Sequence, residues 1–174
     1  MSAGPPFARL RRHMRTPTAC LLGIALAAGC GGSGGEGTGG GGTTTTVTQQ
    51  TLTGKIGGQA WTFATGETNA ALSTADQYWV DLYAATFDSC VAFGAPTDAD
   101  EVIMMMPKTP GTYPVSLGMN ATLYTASSSF NAVATRGVLV IDSVTATTIS
   151  GGLHITYNSD NTVDGLFQAA ICPP

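Results

Sequence analysis

From Thr51 onwards, apolar and polar residues alternate in short runs, each cut off by Gly, Pro, Asn or Asp. A period of two puts successive side chains on opposite faces of an extended chain, whereas a helix needs apolar positions spaced by 3, 4 and 7. No window of a dozen residues sustains the helical spacing, so strands are expected throughout. The clearest unit is LTGKI, the pair Gly57-Gly58, then QAWTFA. Two glycines supply the positive φ angles that a two-residue hairpin turn requires, and Trp61 and Phe63 then share one face. Residues 77–86 read as a third strand, with Val80, Leu82 and Ala84 on the core side and Trp79, Asp81 and Tyr83 on the outer side. Further strands are expected near 102–106, 111–117, 121–124 and 137–143. A last pair, 148–157 and 163–172, flanks the turn NSDNT, where Asn158, Asp160 and Asn161 bond their own backbone and tolerate left-handed conformations. The pattern predicts an all-β fold, an antiparallel β-sandwich of about eight or nine short strands, with a jelly roll among the arrangements that fit. Strand order is not written in a local pattern.

The chain before this domain follows other rules. Arg9, Arg11, Arg12 and Arg15 precede an apolar stretch over 19–28, and small residues lead into Cys30. This is the layout of an export signal, and its apolar part is roughly half the length needed to span a bilayer. Leu26, Ala27, Ala28, Gly29 and Cys30 resemble the lipobox of a bacterial lipoprotein, although Ala27 stands where leucine is commonest. The resemblance implies that residues 1–29 are removed as a signal peptide, that Cys30 is acylated, and that the mature protein meets the membrane through that lipid. Gly31 is not the aspartate that retains such proteins at the inner membrane, which implies an exported protein lipid-anchored at the outer membrane or cell surface.

Residues 31–50 read GGSGGEGTGGGGTTTTVTQQ and offer almost nothing to bury. Together with Cys30 they are expected to form a flexible linker, about 25 Å in root-mean-square span and about 70 Å when stretched. The organisation expected is therefore signal peptide 1–29, anchor and linker 30–50, and β-domain 51–174, the last of a size suited to one core. Within the domain, GKIGGQAW, PGTY, GVLVIDSV and ISGGL resemble small lipoprotein domains of unassigned function in environmental bacteria. Those motifs are turns and strand starts, so the resemblance carries location and fold, not chemistry.

Removing the signal changes the charge balance. Four of the seven basic residues leave, and Lys55, Lys108 and Arg136 remain against eleven acids, a net charge of −8. Nucleic-acid binding, which needs clustered cations to displace counterions from phosphate, is excluded. The same cut leaves Cys90 and Cys172 as the thiols of the folded part. Two cysteines in an exported chain are expected to form one disulfide, closing a loop of about eighty residues and stabilising by up to about 4.5 kcal/mol on the chain-entropy argument.

Candidate chemistry is thin. His154 is the single histidine of the mature chain and lies between Leu153 and Ile155, so alternation turns it to the outer face, without a nucleophile motif around it. Paired carboxylates could serve glycoside hydrolysis, but sequence does not place two of them across a cleft. No catalytic residue and no cofactor is expected, calcium excepted. Its oxygen ligands could come from Asp98, Asp100 and Glu101 or from Asn158, Asp160 and Asp164, and neither set has a full calcium-loop spacing. Trp79, Asp81 and Tyr83 have the alternation of a carbohydrate-binding strip, or else of a second buried face. Met104, Met105 and Met106 point to alternating faces and suit core packing better than copper. The function that follows is a membrane-anchored, non-catalytic interaction or structural module. A ligand-binding module for polysaccharide or calcium is the alternative, a small hydrolase the more distant one, and a cell-surface polysaccharide or protein is the expected partner.

Overall fold

The computed structural model describes residues 46–91 and 94–174. The signal segment, Cys30 and most of the expected linker lie outside the described residues. Eleven strands form: β1 (Thr53–Ile56), β2 (Gln59–Thr62), β3 (Thr65–Asn69), β4 (Gln77–Tyr83), β5 (Glu101–Pro107), β6 (Gly111–Val115), β7 (Ala121–Thr125), β8 (Phe130–Ala134), β9 (Gly137–Val144), β10 (Thr148–Asn158) and β11 (Asn161–Ala170). The one helical piece among the described residues is a single 3-10 turn at Ala126–Ser128. The fold is all-β, as the alternation requires.

The strands belong to one continuous sheet in the order β6-β9-β10-β11-β3-β4-β5-β7-β8. It curls until β8 approaches β10, giving a nearly closed, barrel-like wrap around one core. The far edge of β11 is satisfied in three pieces. Residues 162–164 pair with β1, which carries β2 on its other side; Leu166 bonds to Gln50 and Leu52; and Ala170 meets Glu67 of β3 in a parallel bridge.

Nine of the eleven strands fall where alternation puts them. The two additional ones, β3 (TGETN) and β8 (FNAVA), lack a large apolar residue on the inward face. In β3 the buried positions are Gly66 and Thr68, and in β8 they are Ala132 and Ala134, while Phe130 and Val133 face solvent. Small inward residues suit a sheet that must curl tightly, yet they erase the periodic signal.

The core is aliphatic. Val80 and Leu82 from β4, Val102, Met104 and Met106 from β5, Leu123 from β7 and Leu153 and Ile155 from β10 are all essentially inaccessible to solvent. Each such side chain contributes about 1.5–3 kcal/mol relative to exposure. Ala84, expected beside Val80 and Leu82, lies beyond the end of β4 and is exposed. Trp61 is buried and donates its indole N–H to the Asp100 carbonyl at 3.0 Å.

The packed domain begins no later than Val47, inside the segment expected as linker. Val47 occupies the space a side chain at Gly152 would need, and Thr48 N–H donates to Asp164 Oδ1 at 3.0 Å. At Gly165, φ is +140°, and a Cβ would stand 2.7 Å from the Gln50 and Thr51 carbonyl oxygens and from Leu52 Cα. Glycine there is what lets residues 47–52 lie as a strap along β11.

Candidate functional site

The outer face of β3, β4 and β5 gathers the chemistry. Antiparallel register sets Glu67 opposite Asp81, and Tyr83 opposite Glu101. Directly opposed residues have Cβ atoms about 4.5–5.5 Å apart, and diagonal ones about 7–8 Å. Three carboxylates from separate strands therefore share one patch. Among the described residues no lysine or arginine pairs with these carboxylates, and the one contact within 4 Å between a basic and an acidic side chain is His154–Asp164, towards the opposite end of β11.

The chain following β4 folds back over this patch and is pinned there. Cys90 is bonded to Cys172 with Cα atoms 5.1 Å apart, closing 82 residues of sequence, so the expected bridge is present. Cys90 has a φ of +65°, a region that L-residues rarely adopt, and its N–H donates to Glu67 Oε2 at 2.6 Å. Phe87 stands edge-on to the Tyr83 ring at 5.2 Å between centroids. The result is a cleft of about 620 Å³ lined by Glu67, Asp81, Asn69, Cys90, Cys172 and Pro173.

Burial sets the electrostatics. It is the largest cause of the rise that takes the Asp81 carboxyl from its ordinary 3.8 to about 7. Negative charge on Glu101 and Glu67 adds to that rise, and the hydrogen bond from Trp79 Nε1, 2.8 Å from Asp81 Oδ1, opposes it. Burial likewise lifts Glu101 above the usual carboxylate range, with the Tyr83 hydroxyl drawing it part of the way back. The Tyr83 phenol is pushed up by burial and then by Glu101 beside it. Near neutral pH, Asp81 therefore exists in both protonation states.

Trp79, Asp81 and Tyr83 do share one face, but it is not an open strip. Tyr83 is buried, Trp79 and Asp81 are half-buried, and the two aromatics are held by Phe87 and Asp81. Phe87 of the following loop packs on the Tyr83 end of this face, and Asp81 lines the cleft.

The calcium candidates do not converge. Asp98 and Asp100 line one cavity whose wall does not include Glu101, and Asp100 Oδ1 is taken by the Ala126 N–H at 2.9 Å. Asn158 Oδ1 accepts from Asp160 N and Asn161 Nδ2, which makes it a turn-former, while Asp164 sits further along β11 against His154. Among the described residues, the metal-ligating side chains that cluster are Glu67, Cys90 and Cys172, and both sulfurs are spent in the disulfide. The 3.9 Å approach of Cys172 Sγ to Glu67 Oε2 is a contact without a proton to share. His154 turns outward between Leu153 and Ile155, as alternation requires, with Nδ1 3.5 Å from Asp164 Oδ1. Met104 and Met106 are core, and Met105 lies on the other face opposite Trp79.

Glu67 is the residue of this candidate site that sequence reasoning missed. Its strand carries no apolar alternation, and its significance comes from a register with Asp81 that local sequence does not encode. Chemically, each acid of the patch is already engaged: Glu67 holds the Cys90 backbone, Asp81 holds the Trp79 indole, and Glu101 lies against the Tyr83 hydroxyl. No protein-family model, no curated protein and no solved structure matches this chain.

Proposed function

We propose that this chain is a tethered binding module: an exported lipoprotein that holds a non-catalytic β-domain at the outer membrane or cell surface through a lipid on Cys30. Its disulfide-pinned cleft is the contact surface for a polysaccharide or protein partner. The observation that carries this reading is the engagement of Glu67, Asp81 and Glu101 with groups of the fold itself. A carboxylate that fixes a loop builds a rigid cavity, and rigidity lowers the ordering cost of binding. Residual acceptor capacity on Asp81 suits sugar hydroxyls.

Two measurements test it. Cys30→Ala should move the protein from the membrane fraction to the soluble fraction of exported material, and unchanged attachment would refute the anchor. A glycan panel, with calcium and chelator as further arms, should include a ligand that raises the melting temperature, since binding only the folded state stabilises it by mass action. A flat response across the panel, together with no bound cell-surface protein, would refute the module.

One observation favours a second reading, a small glycoside hydrolase. Asp81 with a pKa of about 7 stands directly across from Glu67 in a cleft, and retaining glycosidases place two carboxyl groups about 5–5.5 Å apart. Product release from the same panel, abolished by Asp81→Asn, would replace binding by catalysis. The commitment of Glu67 Oε2 to Cys90 N–H weighs against it.

A further inference from the structure

Residues 171–174 separate the acid-lined cleft from a second cavity of about 550 Å³. Ile171 N–H donates to the Thr147 carbonyl and Cys172 N–H to Thr68 Oγ1, each at 2.8 Å, so this shared wall is fixed. Tyr78, Ala146, Ile171 and Pro173 give the second cavity an apolar lining, and Lys108 stands among its lining residues. Cavities of roughly 300–1,000 Å³ that are mostly apolar with few polar groups are the usual shape of small-molecule sites.

Lys108 is held in an unusual way. Its Nζ donates to the Thr74 carbonyl at 2.6 Å and lies 4.6 Å above the centre of the Tyr78 ring, while its backbone N–H donates to the Asp76 carbonyl at 3.0 Å. An ammonium has three donors, and Thr74 uses one. Among the described residues, no carboxylate comes within ion-pair distance of it, although ten acids accompany only three lysines and arginines there. Ordering a lysine side chain costs rotamer freedom. Here the fold has met that cost and left the charge without an acidic partner, a preorganised cation beside an apolar cavity.

We propose that this cavity binds a small organic carboxylate, with the carboxylate on Lys108 and the apolar body against Tyr78, Ile171 and Pro173. A phosphate dianion would find one point charge and no guanidinium fork, which favours a monoanion. A neutral alcohol would fill the same space without a partner for the ammonium. The site is distinct from the acid-lined cleft, so it stands or falls separately from the binding-module reading.

The test uses the chain from residue 30 onwards carrying Cys30→Ser, which lacks both the apolar signal segment and the acylated cysteine, titrated calorimetrically with hexanoate, hexanol and hexylamine. Hexanoate should bind at least about tenfold more tightly than hexanol, with hexylamine weakest, and Lys108→Gln should reduce hexanoate to the level of hexanol. Ala146→Trp, which fills the cavity but keeps Lys108, should abolish hexanoate binding, and unliganded melting curves would identify a variant that has merely unfolded. Equal binding of hexanoate and hexanol by the native chain, or undiminished hexanoate binding by a folded Lys108→Gln or Ala146→Trp variant, would overturn the proposal.

Discussion

Asp81→Asn removes a charge from the acid-lined cleft while keeping an oxygen to accept the Trp79 indole hydrogen bond. Burial, reinforced by Glu101 and Glu67, holds the Asp81 carboxyl at about 7 in the folded chain instead of 3.8. Between those values the folded state keeps a proton that the unfolded state has released, so stability falls as pH rises through the window and levels off above it. About three pKa units at 1.36 kcal/mol each set a ceiling of about 4 kcal/mol. The side chain is only half-buried, and solvent screening reduces the expected effect to about 2 kcal/mol. The variant should therefore match the native chain near pH 4 and exceed it by about 2 kcal/mol at pH 8, roughly 6–10 °C in melting temperature for a domain of this size. Urea unfolding from pH 4 to pH 8 measures this directly, and the variant should retain a shallower slope of the same sign from Glu101, whose carboxyl is also raised. Parallel pH profiles for the two proteins, or a destabilised variant at pH 8, would refute the assignment of a buried charge to Asp81.

Other substitutions test the frame that shapes the cleft. Replacing Cys90 and Cys172 together by alanine should lower unfolding free energy by up to about 4.5 kcal/mol, since the bridge closes 82 residues; an unchanged urea midpoint would show that the bridge does not constrain the unfolded chain. Gly165→Ala drives a Cβ into the strap and keeps a φ that alanine disfavours, so a loss of about 2 kcal/mol or more and faster proteolysis before Leu52 are expected. Native-like protease resistance would count against the docked strap. Trp61→Phe removes the donor to the Asp100 carbonyl and should cost about 1–3 kcal/mol by thermal melting, with a neutral result showing that the bond contributes nothing net.

The legible part of the fold was the part whose side chains report their own environment. Val80, Leu82, Leu153 and Ile155 alternate with polar neighbours, and each lies on the core face, as the period of two requires. Gly57 and Gly58 both have positive φ, at the turn the sequence pattern demands. β3 and β8 escaped because small residues fill their inward positions, and a curled sheet selects for size at those points more than for hydrophobicity. Residues 46–50 escaped for a related reason: a polar, threonine-rich strap gains its order from the glycines of β10 and β11, not from its own composition.

The candidate site divides along the same line. Taken alone, the sequence determined an all-β domain, an excess of acids over lysine and arginine from Thr51 onwards, two cysteines in that stretch, and an outer face on β4 carrying Trp79, Asp81 and Tyr83. Those properties depend on composition and on neighbours one or two residues away. Only the tertiary structure decided that Glu67 faces Asp81, that the chain after β4 folds back onto Glu67 to wall the cleft both acids line, and that Lys108 stands beside an apolar cavity with no acidic partner among the described residues. Strand register and loop return bring these groups together from separated parts of the chain, and the energy of burying a charge depends on what surrounds it in space.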